Sequence, residues 1–285
     1  VKIVLRKSPR WPLGPFVFCI AIQPLLILLR EQFPSVNIYA FMDDVYIAGP
    51  DADVNSCFSR MKELCEDQTG LTIRADKCQV MSPLPSSIPD DVERTPHGMK
   101  VLGSPVGSDA FCQDFLIKQV KKSEQVLICI KQLPSQYPFI MLRDSFCHKM
   151  SFLLRTTPPS QMATGAAHFD SLVRNARRDI LDLTEEEAND SIFQLPMSLG
   201  GFGTPKTAEI SDFAYFASIA ESSDILQSID PVFITEFSSV YSRICSLPIS
   251  DLIIPSGLIT IWDFYSQFDF RHCKLQKYLT KVHSV

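Results

Sequence analysis

Residues 36–41 (VNIYAF) and 45–49 (VYIAG) are short apolar runs of strand character on either side of a tight polar turn. Ahead of them, residues 16–33 read as an apolar helix that Pro34 stops. After Gly49-Pro50, the residues Val54, Cys57, Phe58, Met61, Leu64 and Cys65 fall at the i, i+3, i+4, i+7 spacing of an amphipathic helix. Asp51 and Asp53 are its predicted N-caps and Gly70 its stop. Residues 71–74 (LTIR) alternate again like a strand. Helix, strand, turn, strand, helix, strand is α+β order, with helices packed on one face of a small antiparallel sheet. Residues 83–98 are dense in Pro, Ser and Asp and predict an exposed loop. Past Gly107 the period turns helical: residues 111–132, 137–155 and 160–182 predict three helices, and residues 207–222 a further one. Beyond residue 223 helical and aromatic segments continue, including 259–270 (ITIWDFYSQFDF), with no motif and no internal repeat.

Composition supports a folded chain: 285 residues, 46% hydrophobic and 21% charged, enough to bury a sizeable core. Nine cysteines with no C-x-x-C spacing exclude a zinc framework and predict reduced, mostly buried thiols. The apolar stretch 16–29 is interrupted by Gln23 and Pro24 and reads as a buried core helix, too short to span a bilayer. With no secretory signal either, the expected location is intracellular, in nucleus or cytoplasm, without a membrane partner. The net charge of −5 argues against a uniformly basic nucleic-acid binder, but its distribution is uneven. Residues 115–178 carry ten Lys or Arg against three acids, and residues 179–240 carry twelve acids against Lys206 alone. A phosphate-facing segment followed by an acidic module that faces elsewhere would produce this pattern, as would two solvated helical faces.

The turn itself holds Asp43 and Asp44. Adjacent carboxylates fixed at the end of a hairpin repel unless a hard divalent cation neutralises them, and Mg²⁺ or Mn²⁺ suits phosphoryl transfer. A plain polar turn uses the same residue type, so the surroundings decide. Upstream stands Pro12-Leu13-Gly14-Pro15 before the apolar helix. Downstream come residues 70–80 (GLTIRADKCQV), then residues 101–107 (VLGSPVG), and later residues 195–203 (LPMSLGGFG). The Gly-rich run at 200–203 lacks the Gly-Lys-Ser/Thr ending of a phosphate loop. Asp90-Asp91 lies in the Pro-rich loop, which would fix neither carboxylate.

In this order and spacing, residues 12–220 resemble the second half of the palm, the thumb and the following segment of reverse transcriptases of non-LTR retrotransposons. The resemblance implies a partial polymerase palm over 1–107, a helical thumb over 108–183 and a C-terminal helical extension over 184–285. It implies that Phe41-Met42-Asp43-Asp44 is the catalytic turn, with Asp43 and Asp44 as metal ligands and Lys77 at the lysine position of the next motif. Pro12, Leu13, Gly14 and Pro15, with Phe41 and Met42, would lie against template and incoming nucleotide. Leu102, Gly103 and Gly107 would form the primer grip. Lys118, Lys121 and Lys122 on one helix and Arg174, Arg177 and Arg178 on another would contact nucleic-acid backbone. The expected partners are an RNA template, a DNA primer and deoxynucleotides, with Mg²⁺ or Mn²⁺ in a complete enzyme.

Two departures temper the resemblance. The family usually carries Gln-Gly-Asp where this chain has Pro9-Arg10-Trp11, and its remaining catalytic Asp lies on an earlier palm strand. The sequence opens at Val1, so the expectation is a fragment without polymerase activity of its own. The alternatives are a decayed or repurposed retroelement protein that binds nucleic acid through a basic thumb, and a helical protein-interaction module.

Overall fold

The computed structural model describes residues 2–4, 13–82, 92–188, 191–229 and 242. Pro12, the Pro9-Arg10-Trp11 stretch, Asp90-Asp91 and the aromatic segment 259–270 lie outside the described residues. The chain divides into two compact units, Val1–Phe111 and Cys112–Val285.

The first unit is the α+β part. Strands β1 (Lys2–Val4), β2 (Asn37–Phe41), β3 (Asp44–Ala48), β4 (Gln79–Val80) and β5 (Glu93–Arg94) form one sheet in the order β2-β3-β1-β4-β5. All pairings are antiparallel except β4 with β5, which is parallel. Val36, Ile38, Val45 and Ile47 are buried on one face, where helices α1 (Gly14–Gln32) and α2 (Asp51–Leu64) join the same core. Each such side chain taken out of water contributes roughly 1.5–3 kcal/mol before chain entropy is counted. Helix α2 buries Val54, Cys57, Phe58, Met61 and Leu64, the stripe that its spacing predicts. Pro50 occupies its N-cap without a side-chain bond, and Asp51 and Asp53 stand in the first turn, where negative charge meets the helix dipole. Asp53 accepts a hydrogen bond from the Ser35 hydroxyl instead of capping. A π-helical turn (Cys65–Thr69) then carries the chain to Gly70, and residues 71–74 join no strand ladder, contrary to their alternation.

Helix α1 differs from its sequence reading. It runs 19 residues and is the one helix, among the described residues, long and apolar enough to cross a membrane on length and composition. Phe18, Ile22, Leu25, Leu26 and Leu29 are buried, while Phe16, Val17, Ile20 and Ile27 remain 48–63% exposed. Periodicity explains the split: only one stripe of a helix that is apolar all round can face the sheet.

A second, two-stranded sheet pairs β6 (Gly98–Val101) with β7 (Ser104–Gly107). Gly98 faces Gly107 across it, and a Cβ on Gly107 would stand 2.4 Å from the Gly98 Cα, so only glycine lets the strands approach this closely.

The second unit is helical. Helix α3 (Asp109–Lys131) begins at the end of the first unit and buries Cys112, Leu116, Val120, Leu127 and Ile130 along one face. The predicted helix at 137–155 is broken into α4 (Tyr137–Asp144), a 3₁₀ turn (Phe146–His148) and α5 (Ser151–Thr156). Next come α6 (Pro159–Leu181), the short acidic α7 (Glu185–Ala188) and α8 (Thr207–Ile229). Phe146 and Phe169 stack with centroids 5.3 Å apart at the centre of this core. Gly201 closes the 195–203 turn, where an added Cβ would come 2.1 Å from the Leu195 carbonyl oxygen. No disulfide joins the seven described cysteines: five are buried, Cys19 is intermediate and Cys129 is exposed.

Candidate functional site

The β2–β3 register pairs Phe41 with Asp44, so the two-residue turn is Met42-Asp43 and Asp44 already belongs to β3. The sequence reading placed both carboxylates in the turn; the structure separates their settings. Asp43 sits at the tip, with its side chain half-buried. Met42 has a φ of 53°, the positive value a II′-type hairpin requires at its first central residue. A methionine there stores about 1–3 kcal/mol of backbone strain, a feature that clusters at functional turns.

Alternation along β3 sends Val45 and Ile47 into the core and turns Asp44 and Tyr46 to the opposite face. Across the ladder stand Phe41 and Tyr39, paired with Asp44 and Tyr46 respectively and both exposed. The sheet therefore has one face covered by helices and one bearing a carboxylate among aromatic rings.

Tyr46 ties this face to the second hairpin. Its hydroxyl accepts the Leu102 backbone N–H at 3.3 Å. Burial raises the Tyr46 pKa and the Asp44 carboxylate adds to the effect, so the phenol stays protonated and donates to Asp44. Leu102 and Gly103 form the tip of the β6–β7 hairpin, both with positive φ (47° and 102°), the I′ pattern. Asp44, Tyr46 and the 102–103 tip thus form one connected group. Tyr46 was missed from sequence. The signal available was its i+2 relation to Asp44, which puts both on one strand face.

Lys77 ends a 3₁₀ turn (Ala75–Lys77) and is exposed. Lys2 pairs with both Tyr46 and Gln79, so Lys77 lies near the Asp44 end of the sheet, two strand spacings or roughly 10 Å across. Leu13 is 65% exposed at the start of α1, Gly14 is buried, and Pro15 is exposed. Asp43 and Asp44 offer hard carboxylate oxygens, a donor type that suits a Mg²⁺-type ion. Among the described residues no cluster of three His, Cys, Asp or Glu forms a fuller metal site.

In the second unit Lys118, Lys121 and Lys122 lie exposed on α3. The three arginines of α6 do not form a common exposed stripe. Arg178 and Arg174 are partly exposed and face Glu185, at 2.7 Å and 3.6 Å. Arg177 is 6% exposed, donates to Thr204 Oγ1 at 2.9 Å and to the Ala188 carbonyl, and stacks 4.3 Å from the Phe193 ring centroid. Glu185 also shows that the acidic stretch does not face elsewhere throughout; it folds back on the basic helix.

Residues 11–106 match the family model described as reverse transcriptase (RNA-dependent DNA polymerase). The retrotransposable element SLACS 132 kDa protein of Trypanosoma brucei gambiense is 24% identical to this chain over 207 residues. The alignment covers 71% of this chain and 17% of that protein, so the chain spans a small part of its relative's length.

Proposed function

We propose that the chain is part of a reverse transcriptase of a non-LTR retrotransposon, an RNA-directed DNA polymerase that extends a primer 3′-hydroxyl along an RNA template. One observation carries this reading: the strained Met42-Asp43 turn and Asp44 lie on the open face of a sheet inside the matched segment 11–106. The resemblance of Pro12-Leu13-Gly14-Pro15 and of the Leu102–Gly107 hairpin supports it. In this reading the first unit is palm, α3 and α6 belong to the thumb, and the remainder is a C-terminal extension.

Asp43, at the tip, serves as the main ligand of a divalent ion and Asp44 as the second. A bound Mg²⁺ or Mn²⁺ would neutralise phosphate charge and favour the ionised primer hydroxyl. Tyr46 holds Asp44 at a fixed position, and Leu13, Gly14, Pro15, Phe41 and Met42 shape the surface for template and nucleotide. Lys77 stands within long-range reach of the developing phosphate charge, and Leu102, Gly103 and Gly107 support the primer end. Lys118, Lys121, Lys122, Arg174 and Arg178 meet the duplex backbone once Glu185 yields. We place this activity inside the cell, in nucleus or cytoplasm.

Phosphoryl transfer depends on positioning and charge neutralisation, and among the described residues no third carboxylate joins Asp43 and Asp44. The 285-residue chain is accordingly expected to bind a primer–template duplex without extending it. A filter-binding series in rising salt, run beside a templated extension assay with Mg²⁺ and Mn²⁺, tests both parts. Binding that weakens as salt rises supports the reading. Binding indifferent to salt refutes the backbone contacts and favours a protein-interaction module. Extension that disappears in Asp43→Asn would overturn the expected inactivity while upholding the polymerase.

A further inference from the structure

The second unit contains a cleft of about 250 Å³ between α6 and the segment that leads into α8. Its lining includes Asp170, Arg174, Arg177, Gln194, Thr204 and Lys206. We propose that this cleft is a binding site for a phosphate group.

Three cations line it, and two of them, Arg174 and Arg177, stand one turn apart on α6 and so share a face. Arg177 is 6% exposed and therefore sits deep. Its two terminal guanidinium nitrogens are used on the neutral acceptors Thr204 and Ala188, while its Nε has no partner among the described residues. The Arg174 Nε is also buried without a hydrogen bond, with the Glu185 carboxylate 3.6 Å away. Lys206 lines the cleft from the opposite segment, and its ammonium pairs with the exposed Glu209 carboxylate at 2.9 Å, a contact that a bound phosphate would have to share or displace. Asp170 is the carboxylate in the lining, and it is committed elsewhere: it accepts the Thr207 and Ala208 N–H groups at 2.7 and 2.9 Å, capping α8.

A buried guanidinium with an unpaired N–H and, among the described residues, no carboxylate in contact is unfavourable by itself. An anion with oxygens pointing in several directions relieves both deficits. A tetrahedral phosphate can accept from Arg177, Arg174 and Lys206 together, whereas a planar carboxylate serves fewer directions. The cleft has room for a phosphate with part of its sugar and no room for a paired duplex. Its phosphate chemistry stands apart from the polymerase reading; that reading enters only in naming a nucleic-acid strand as the source, through either a terminal or an internal phosphate.

The test uses the whole 285-residue chain, ¹⁵N-labelled, titrated with inorganic phosphate at constant ionic strength. Saturable shifts are expected at the Thr204 and Ala208 amides and at the arginine Nε–H resonances. Arg174→Ala and Lys206→Ala, both at partly exposed positions, should each weaken binding about tenfold with the fold retained by circular dichroism. Absence of a saturable shift, or equal affinity in the double variant, overturns the site. A single-stranded oligonucleotide with and without a 5′-phosphate then identifies the source. Affinity that depends on both the 5′-phosphate and Arg174 supports a strand end. Equal Arg174 dependence for the two oligonucleotides supports an internal phosphate. If inorganic phosphate binds and neither oligonucleotide depends on Arg174, the site stands and its assignment to nucleic acid falls.

Discussion

Replacing Arg177 tests the interior of the second unit most directly. The side chain holds three separate pieces against α6: the end of α7 through the Ala188 carbonyl, the Thr204 hydroxyl, and the Phe193 ring. Thr204 keeps a second partner, the Phe193 carbonyl at 2.8 Å, but fully buried Ala188 has no water to replace what it loses. In Arg177→Met the stem and its packing remain, so the loss is chiefly two charge-assisted hydrogen bonds, about 3 kcal/mol, and a cation–π contact of about 1 kcal/mol. Relief of the buried charge offsets part of this, because burial lowers the Arg177 pKa and so disfavours its charged form. A net loss of about 2–3 kcal/mol is expected. Arg177→Lys keeps the charge and its burial penalty but cannot reach both acceptors, so it should be no more stable than Arg177→Met. Urea denaturation followed by circular dichroism gives the totals, and hydrogen exchange of peptides covering residues 188–204 shows where protection is lost. Wild-type stability in Arg177→Lys would refute the argument, since charge rather than the forked geometry would then be what matters.

In the first unit, Gly107→Ala places a Cβ 2.3 Å from the His97 carbonyl oxygen and should cost about 1–3 kcal/mol, read as a lower urea midpoint; an unchanged midpoint would mean that the β6–β7 hairpin yields easily. Burial raises the Asp170 pKa above the ordinary 3.8, so its contribution is fully present in acid and is lost as pH rises through the folded-state value. The stability of wild type relative to Asp170→Asn should therefore shrink as pH rises above the ordinary 3.8, and a constant or widening difference would count against that assignment. Alkylation followed by mass spectrometry should modify exposed Cys129 before Cys57 and Cys65, with pKa pushed up to about 11, and before Cys147, at about 12, all three reacting only as the chain opens. Labelling of Cys147 at the rate of Cys129 would contradict its burial.

The elements with strong periodicity were legible. The stripe of α2 was named residue by residue, and α3 and α6 end within two residues of their predicted bounds. What failed depended on contacts distant in sequence. Residues 71–74 alternate correctly, yet the ladder continues from Gln79, because strand pairing requires a partner edge at the right height. The 137–155 helix breaks around a 3₁₀ turn that inserts Phe146 against Phe169, a tertiary contact that no local pattern encodes. Asp51 and Asp53 have good capping chemistry, but the helix starts one residue earlier than a cap at Asp51 requires. At the candidate site the acidic pair was visible and its asymmetry was not. A one-residue difference in register decides which carboxylate occupies the turn, and period two then decides that Asp44 meets Tyr46.

Charge shows the same dependence on folding. The sequence separates a basic stretch from an acidic one, and in a linear view the two oppose each other as blocks. Folding instead pairs them selectively: Glu185 faces Arg174 and Arg178, Asp179 faces Lys131, and Glu221 faces Arg155. Lys118, Lys121 and Lys122 remain together on the exposed side of α3. The net charge of −5 therefore says little about what a polyanion would meet on this surface. Exposed ion pairs of this kind are worth about 0–1 kcal/mol each, because water already solvates both partners. Phosphates spaced along a strand can contact several cations at once and release counterions as they bind, so they compete well against single carboxylates. In the proposed reading Glu185 would be a weak, replaceable partner of Arg174 and Arg178, whereas Arg177 is held by buried acceptors at the end of α7 and in the segment before α8 and would stay in place.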